Sequence, residues 1–199
     1  MTSPLARFVT KALAWLPLAF AVWYFTAPVL LWPAALLCEL VARIGFSDLI
    51  SSIDQSGAVY TFTTSLKPGQ ASAQSGNITV DVNPLLYSFG LPLYAALVLA
   101  AREPHWPRKL AIGYLVIVPF VTWGVMADFL KNVAITSGPL VASQTGFSAV
   151  QREAIVFAFQ MGSLILPTVV PAIVWVLTHR RLLERLRSPS LPAPGSSGA

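Results

Sequence analysis

Apolar residues in this chain come in blocks too long for the interior of a small soluble domain. They run from Ala12 to about Leu31, from Leu85 to Ala101, from Leu110 to Leu130 and from Ala154 to Leu177. A helix needs about 20 mostly apolar residues to cross a hydrocarbon core roughly 30 Å thick. The blocks therefore predict an all-α membrane bundle of four transmembrane helices, spanning about 12–31, 85–101, 110–130 and 154–177. Composition points the same way. Only 11% of the 199 residues are charged and the mean hydropathy is +0.68, whereas a soluble domain carries about 25% charged residues to face water. One integral domain over residues 1–187 is expected, followed by a small, polar, disordered tail over 188–199.

The first block continues past Leu31 through Pro33 to Phe46. As one helix, Ala12 to Phe46 would be roughly 50 Å long, well beyond a bilayer core. A bend near Pro28 or Pro33 is expected, with a second helix emerging along the outer interface. Glu39 and Arg43, spaced i, i+4 with the acid first, suit a surface pair on that helix. The opening run, preceded by Arg7 and Lys11, is too long for a signal-peptide core and is read as an uncleaved anchor.

Residues 47–83 form the one sizeable polar segment. Val59 to Leu66 is rich in β-branched and aromatic residues, and Ile78-Thr79-Val80-Asp81-Val82 alternates apolar with polar. Two antiparallel strands forming a small β-hairpin are expected, resting their apolar face on the bundle because a lone hairpin is marginal in water. Lys67-Pro68-Gly69-Gln70 through Asn77 is loop chemistry. Lys131 to Ser148 is expected to be a polar loop, and Pro167 and Pro171 to interrupt the last span.

The net charge of +5 does not gather into a stripe or patch, so nucleic acid is not a predicted partner; the lipid bilayer is. Instead the cations sort by side. Arg7, Lys11, Arg102, Arg108, Lys109, Arg180, Arg181, Arg185 and Arg187 fall on one face of the bundle, and Arg43, Lys67, Lys131 and Arg152 on the other. Positive residues favour the cytoplasm. Both termini are thus expected there, across a bacterial inner membrane, with the hairpin in the periplasm.

Little in the sequence suggests catalysis. Cys38 is the one cysteine and sits in the apolar run Ala34-Ala35-Leu36-Leu37-Cys38, where packing explains it. His105 and His179 lack partners at metal-ligand spacing, and no metal or cofactor is expected. Asp128 stands out as the one acid of the third span, because intramembrane acids are costly and usually functional. Lys131 lies one helical turn on, close enough to pair with it. Arg152 and Glu153 open the fourth span at the same level and Asn83 opens the second. These five residues form a candidate docking or functional patch; the plainer alternative is that they snorkel and cap helices. Thr122, Gln160 and Ser163 are candidates for hydrogen bonds between helices.

Three stretches carry a resemblance. They are Asp81 to Pro92 (DVNPLLYSFGLP), Pro119 to Gly124 with Asp128 to Lys131 (PFVTWG, DFLK), and Gly146-Phe147-Ser148 with Gln151 to Ala154, continuing through Gln160 to Leu164-Ile165-Leu166-Pro167-Thr168. With the chain length and hairpin position, they resemble the exosortase H-associated membrane proteins. That resemblance implies an accessory to a membrane-embedded cysteine transpeptidase, an exosortase, and its sorting substrates. Exosortases use a Cys, Arg and His constellation. Here Cys38 is placed away from both histidines, so no base reaches the thiol and no enzymatic role is expected. A small transporter or permease component using Asp128, or a membrane enzyme using the acid–base pair, are the competing readings.

Overall fold

A computed structural model of the chain describes residues 4–67, 76–180 and 184. The chain is mostly helical, with a small antiparallel sheet inserted after the second helix. In order it forms α1 (Pro4–Leu30), α2 (Trp32–Gly45), β1 (Ile50–Ser56), β2 (Val59–Thr64), β3 (Thr79–Val82), α3 (Leu85–Ser88), α4 (Gly90–Ala101), α5 (Trp106–Lys131), α6 (Pro139–Gln144), α7 (Ala149–Gln160) and α8 (Leu166–Thr178). A π-helical turn over Asn132–Thr136 extends α5, and another over Met161–Ile165 joins α7 to α8. Among the described residues, three continuous helices are long and apolar enough to cross a bilayer: Leu5–Leu30, Trp106–Thr136 and Ala149–Thr178. The remaining apolar segment, Leu85–Ala101, is shorter and breaks at Phe89, so of the four expected spans three are observed as long helices and the second as a shorter, broken one. Pro92 contributes to that break, since it has no N–H to offer the preceding turn.

The bend after the first helix falls at Leu31, between the two prolines that flank it. Pro28 stays inside α1 and Pro33 sits in the first turn of α2, where a missing N–H costs nothing. The break leaves carbonyls at the end of α1 without helical donors. Side chains from two distant elements supply them: Gln55 Nε2 donates to Pro28 O at 2.8 Å and Tyr114 Oη to Leu30 O at 2.7 Å. Tyr60 Oη adds a second donor to Leu31 O, which already accepts from Ala35 N. Beyond the bend, Ala34, Cys38 and Ala42 form a buried stripe of small side chains, and α2 packs along α5 through it. Thr122 Oγ1 bridges the two helices to Ala34 O at 3.4 Å. Ser163, by contrast, bonds within its own helix, to Phe159 O, and Gln160 is exposed.

The expected hairpin of β2 and β3 is present, with Phe62 opposite Val80 and Tyr60 opposite Val82. It belongs to a three-stranded sheet in the order β1-β2-β3, because Ile50–Ser56 adds a further antiparallel strand through a tight turn at Gly57, φ +61°. Tyr60, Phe62, Val80 and Val82 are buried, and Phe62 stacks on Phe129 of α5 with ring centroids 4.5 Å apart. Positions 68–75 of the expected loop, and the tail over 188–199, lie outside the described residues.

Within the bundle, α4 is the most enclosed helix, packed against α1, α5 and α8. Glycines allow the closest approaches. A Cβ on Gly162 would come within 2.8 Å of the Gly124 Cα, so neither position tolerates a side chain and the π-turn seats directly on α5. The segment expected as a polar loop, 131–148, is instead largely helical. Its end is sharply defined: Ser148 and Gln151 form a reciprocal capping box that starts α7.

Candidate functional site

Contacts sort the bundle into two ends. At one, the sheet and the α6 region meet: Gln144 exchanges hydrogen bonds with the Lys67 backbone at 3.0 and 3.1 Å. At the other, Phe8 of α1 stacks on Trp175 of α8, with ring centroids 5.3 Å apart, close to the α4–α5 turn.

At the sheet end, Asp128 and Lys131 occupy successive turns of α5 and form an ion pair of 2.9 Å. Only 13% of the Asp128 side chain and 26% of the Lys131 side chain are exposed, so the pair is largely out of water. Asn132 Nδ2 donates to Asp128 Oδ1 at 3.1 Å, and the Tyr87 side chain interacts with the same carboxylate. Lys131 also lies over the Phe159 ring of α7, 3.8 Å from its centroid. One acid thus gathers groups from α3, α5 and the π-turn, and its lysine ties them to α7.

The other expected members of the patch are placed differently. Asn83 is exposed and caps α3, its Oδ1 accepting from Leu85 N at 3.0 Å. Glu153 is exposed on α7. Arg152 is half-buried, and its Nε is enclosed without a hydrogen-bond partner among the described residues. The structure therefore brings Asp128 and Lys131 together and adds Tyr87, Asn132 and Phe159. Beside this cluster runs an apolar groove of about 510 Å³ between α2, α5 and α7, with Val41, Met126, Leu130 and Ile155 among its walls.

The opposite end holds a second ionic cluster that pattern reading does not find. Lys109 Nζ pairs with Glu103 Oε2 across the α4–α5 turn, both side chains about one-fifth exposed or less. Buried His179 places Nε2 3.9 Å from the same carboxylate oxygen. Its Nδ1 lies 3.1 Å from Trp175 O and 2.9 Å from Thr178 Oγ1, and the imidazole stacks on the Trp175 ring. Burial lowers the His179 pKa below its ordinary value. The Trp175 carbonyl opposes that shift, while Lys109 adds to it and Glu103 works against it.

Cys38 is fully buried on α2, and burial pushes its thiol up to about 12, against a weaker opposing hydrogen bond from Thr122. A thiol so disposed stays protonated and unreactive. Exposed His105 lies in the α4–α5 turn and buried His179 at the same end, whereas Cys38 packs near Thr122 and the sheet. Among the described residues, no group of three or more His, Cys, Asp and Glu side chains could hold a metal ion.

No curated protein and no solved structure matches the chain. A family model does, across residues 2–182, which takes in both ionic clusters, the sheet and every described helix. The chain therefore belongs to the exosortase H-associated membrane proteins.

Proposed function

We propose that this protein is a non-catalytic accessory subunit of an exosortase-type protein-sorting complex in the bacterial inner membrane. Family membership across nearly the whole chain is the observation that carries this reading. The chemistry of Cys38 supports it, since a buried, protonated thiol without a base makes a poor transpeptidase nucleophile. In this reading the short α3–α4 segment completes a fourth crossing. The end bearing Lys109 and His179 faces the cytoplasm, in keeping with nine Lys and Arg residues on that side against four on the other. The sheet is then periplasmic.

The docking patch is the Asp128–Lys131 cluster with Arg152, flanked by Asn83 and Glu153. Two features favour it. Arg152 encloses its Nε without a hydrogen-bond partner among the described residues, and the adjoining groove offers an apolar wall for a partner's transmembrane helix. Co-purification of an exosortase, normalised to inserted protein, tests both levels of the reading. Wild-type protein is expected to capture the enzyme. Asp128→Ala and Arg152→Ala are expected to lower normalised capture several-fold, while Cys38→Ala leaves it unchanged. Failure of the wild type to capture any exosortase defeats the accessory role; undiminished capture by both patch variants removes the patch alone.

A further inference from the structure

Among the described residues strand β1 lies at the edge of the sheet, and its outer side faces a groove walled by α2. Trp32, Leu36 and Glu39 of α2 line this groove opposite Ile53 and Gln55 of β1. Toward Arg43 it continues along Ser51, Ser52 and Asp54. The register fixes which backbone groups face it. Ser65 N donates to Leu49 O, whereas Thr64 N donates to Ile78 O. Odd-numbered residues of β2 therefore bond to β1 and even-numbered ones to β3. Ser52 and Asp54, opposite Thr63 and Thr61, are the residues of β1 whose N–H and C=O groups point to β2. Those of Ile53 and Gln55 point outward into the groove.

Natural sheets usually protect such an edge with proline, lysine or bulges. Ile50–Ser56 contains no proline and no lysine, and its one irregularity lies between Ile50 and Ser52, leaving 53–56 regular. The exposed face of the sheet is acidic. Asp54, Thr61 and Asp81 form one cross-strand row. Thr61 Oγ1 donates to Asp81 Oδ1 at 2.7 Å and Ser52 Oγ to Asp54 Oδ2 at 3.3 Å. Neither carboxylate forms an ion pair among the described residues.

We propose that an extended peptide docks on β1 as a fourth strand, with α2 as the second wall of its binding groove. Another backbone in strand geometry supplies donors and acceptors for Ile53 and Gln55 together, at the spacing the edge presents. Its side chains opposite Ile53 and Gln55 point to the inner side, against Trp32 and Leu36, and are apolar. The side chain between them stands beside Asp54 on the outer face and is basic, because opposite charges across a strand pair attract and an acidic residue there is repelled. The partner is thus a basic–apolar alternating segment of another protein. This site is separate from the Asp128 patch and does not rest on the accessory reading.

The test uses the full-length protein in nanodiscs and a capped, fluorescent hexapeptide alternating valine and lysine, with empty nanodiscs as background. Saturable binding is expected, with slowed amide exchange at Ile53 and Gln55. N-methylation of the peptide's strand-bonding amides is expected to weaken binding at least tenfold. Ile53→Pro should do the same, since it deletes an outward N–H that no ladder bond uses. Asp54→Asn is expected to weaken it about threefold. Equal binding of the methylated and unmethylated peptides would mean charge adsorption and overturn the proposal, as would unchanged exchange at Ile53 and Gln55 under saturating peptide.

Discussion

The two ends of the bundle solve the same problem, a lysine paired with an acid in poor contact with water, by different routes. At the sheet end the partners are three residues apart on one helix, and the carboxylate has a further donor in Asn132 and a neighbour in Tyr87. At the other end Glu103 and Lys109 meet across a turn, and a third group, His179, arrives from the far end of the last helix. The Asp128–Lys131 pair of the first cluster exists once α5 is helical. The second exists only once α4, α5 and α8 are assembled, so it reports on tertiary structure and depends on it.

That contrast can be broken by removing each lysine in turn. Lys109→Met leaves Glu103 enclosed with an imidazole that burial keeps neutral, and the loss expected for stranding a buried charge is roughly 3 kcal/mol. Thermal unfolding in detergent measures it, and a change no larger than that of Lys131→Met would erase the difference between the two ends. Lys131→Met is expected to cost less, about 1 kcal/mol, because Asn132 still bonds the carboxylate and methionine still packs on Phe159. Lys131→Arg should recover most of that loss.

The smallest effect is that of pH, and it should be confined to one end. His179 has a folded pKa below its unfolded value of 6.5. Between the two values the unfolded chain binds more protons, so stability rises with pH. The contribution is complete above about pH 6.5 and declines as pH falls below it. Lowering the pH from 7.5 to 5.5 should therefore speed amide exchange around Trp175 and Glu103 while leaving the sheet end, which contains no histidine, unaffected. His179→Gln should abolish the response. Equal acceleration at both ends would assign it to some other group.

The same contrast explains what the sequence discloses. The Asp128–Lys131 pair follows from helical spacing alone. The Glu103–His179 approach spans 76 positions (179 − 103) and no periodicity encodes it. The sheet divides in the same way. Strands β2 and β3 alternate cleanly and are legible, whereas β1 reads Ile-Ser-Ser-Ile-Asp-Gln-Ser, with two apolar residues whose period is broken by the bulge. Its pairing comes from the turn at Gly57 and from β2, not from its own pattern. The long helices are legible because hydrocarbon demands length. The break at Phe89 and the two π-turns are less so, since close packing around Gly90, Gly124 and Gly162 is a property of the assembled bundle.

The bend at Leu31 has a consequence for biogenesis. Its two orphan carbonyls wait for Gln55 and Tyr114, which leave the ribosome 27 and 84 residues after the groups they satisfy. The first helix to enter the bilayer therefore has its end completed only after α2, the sheet and α4 have followed it. Until α5 has been synthesised, the newborn chain carries an unfinished hinge between its anchor and everything that follows.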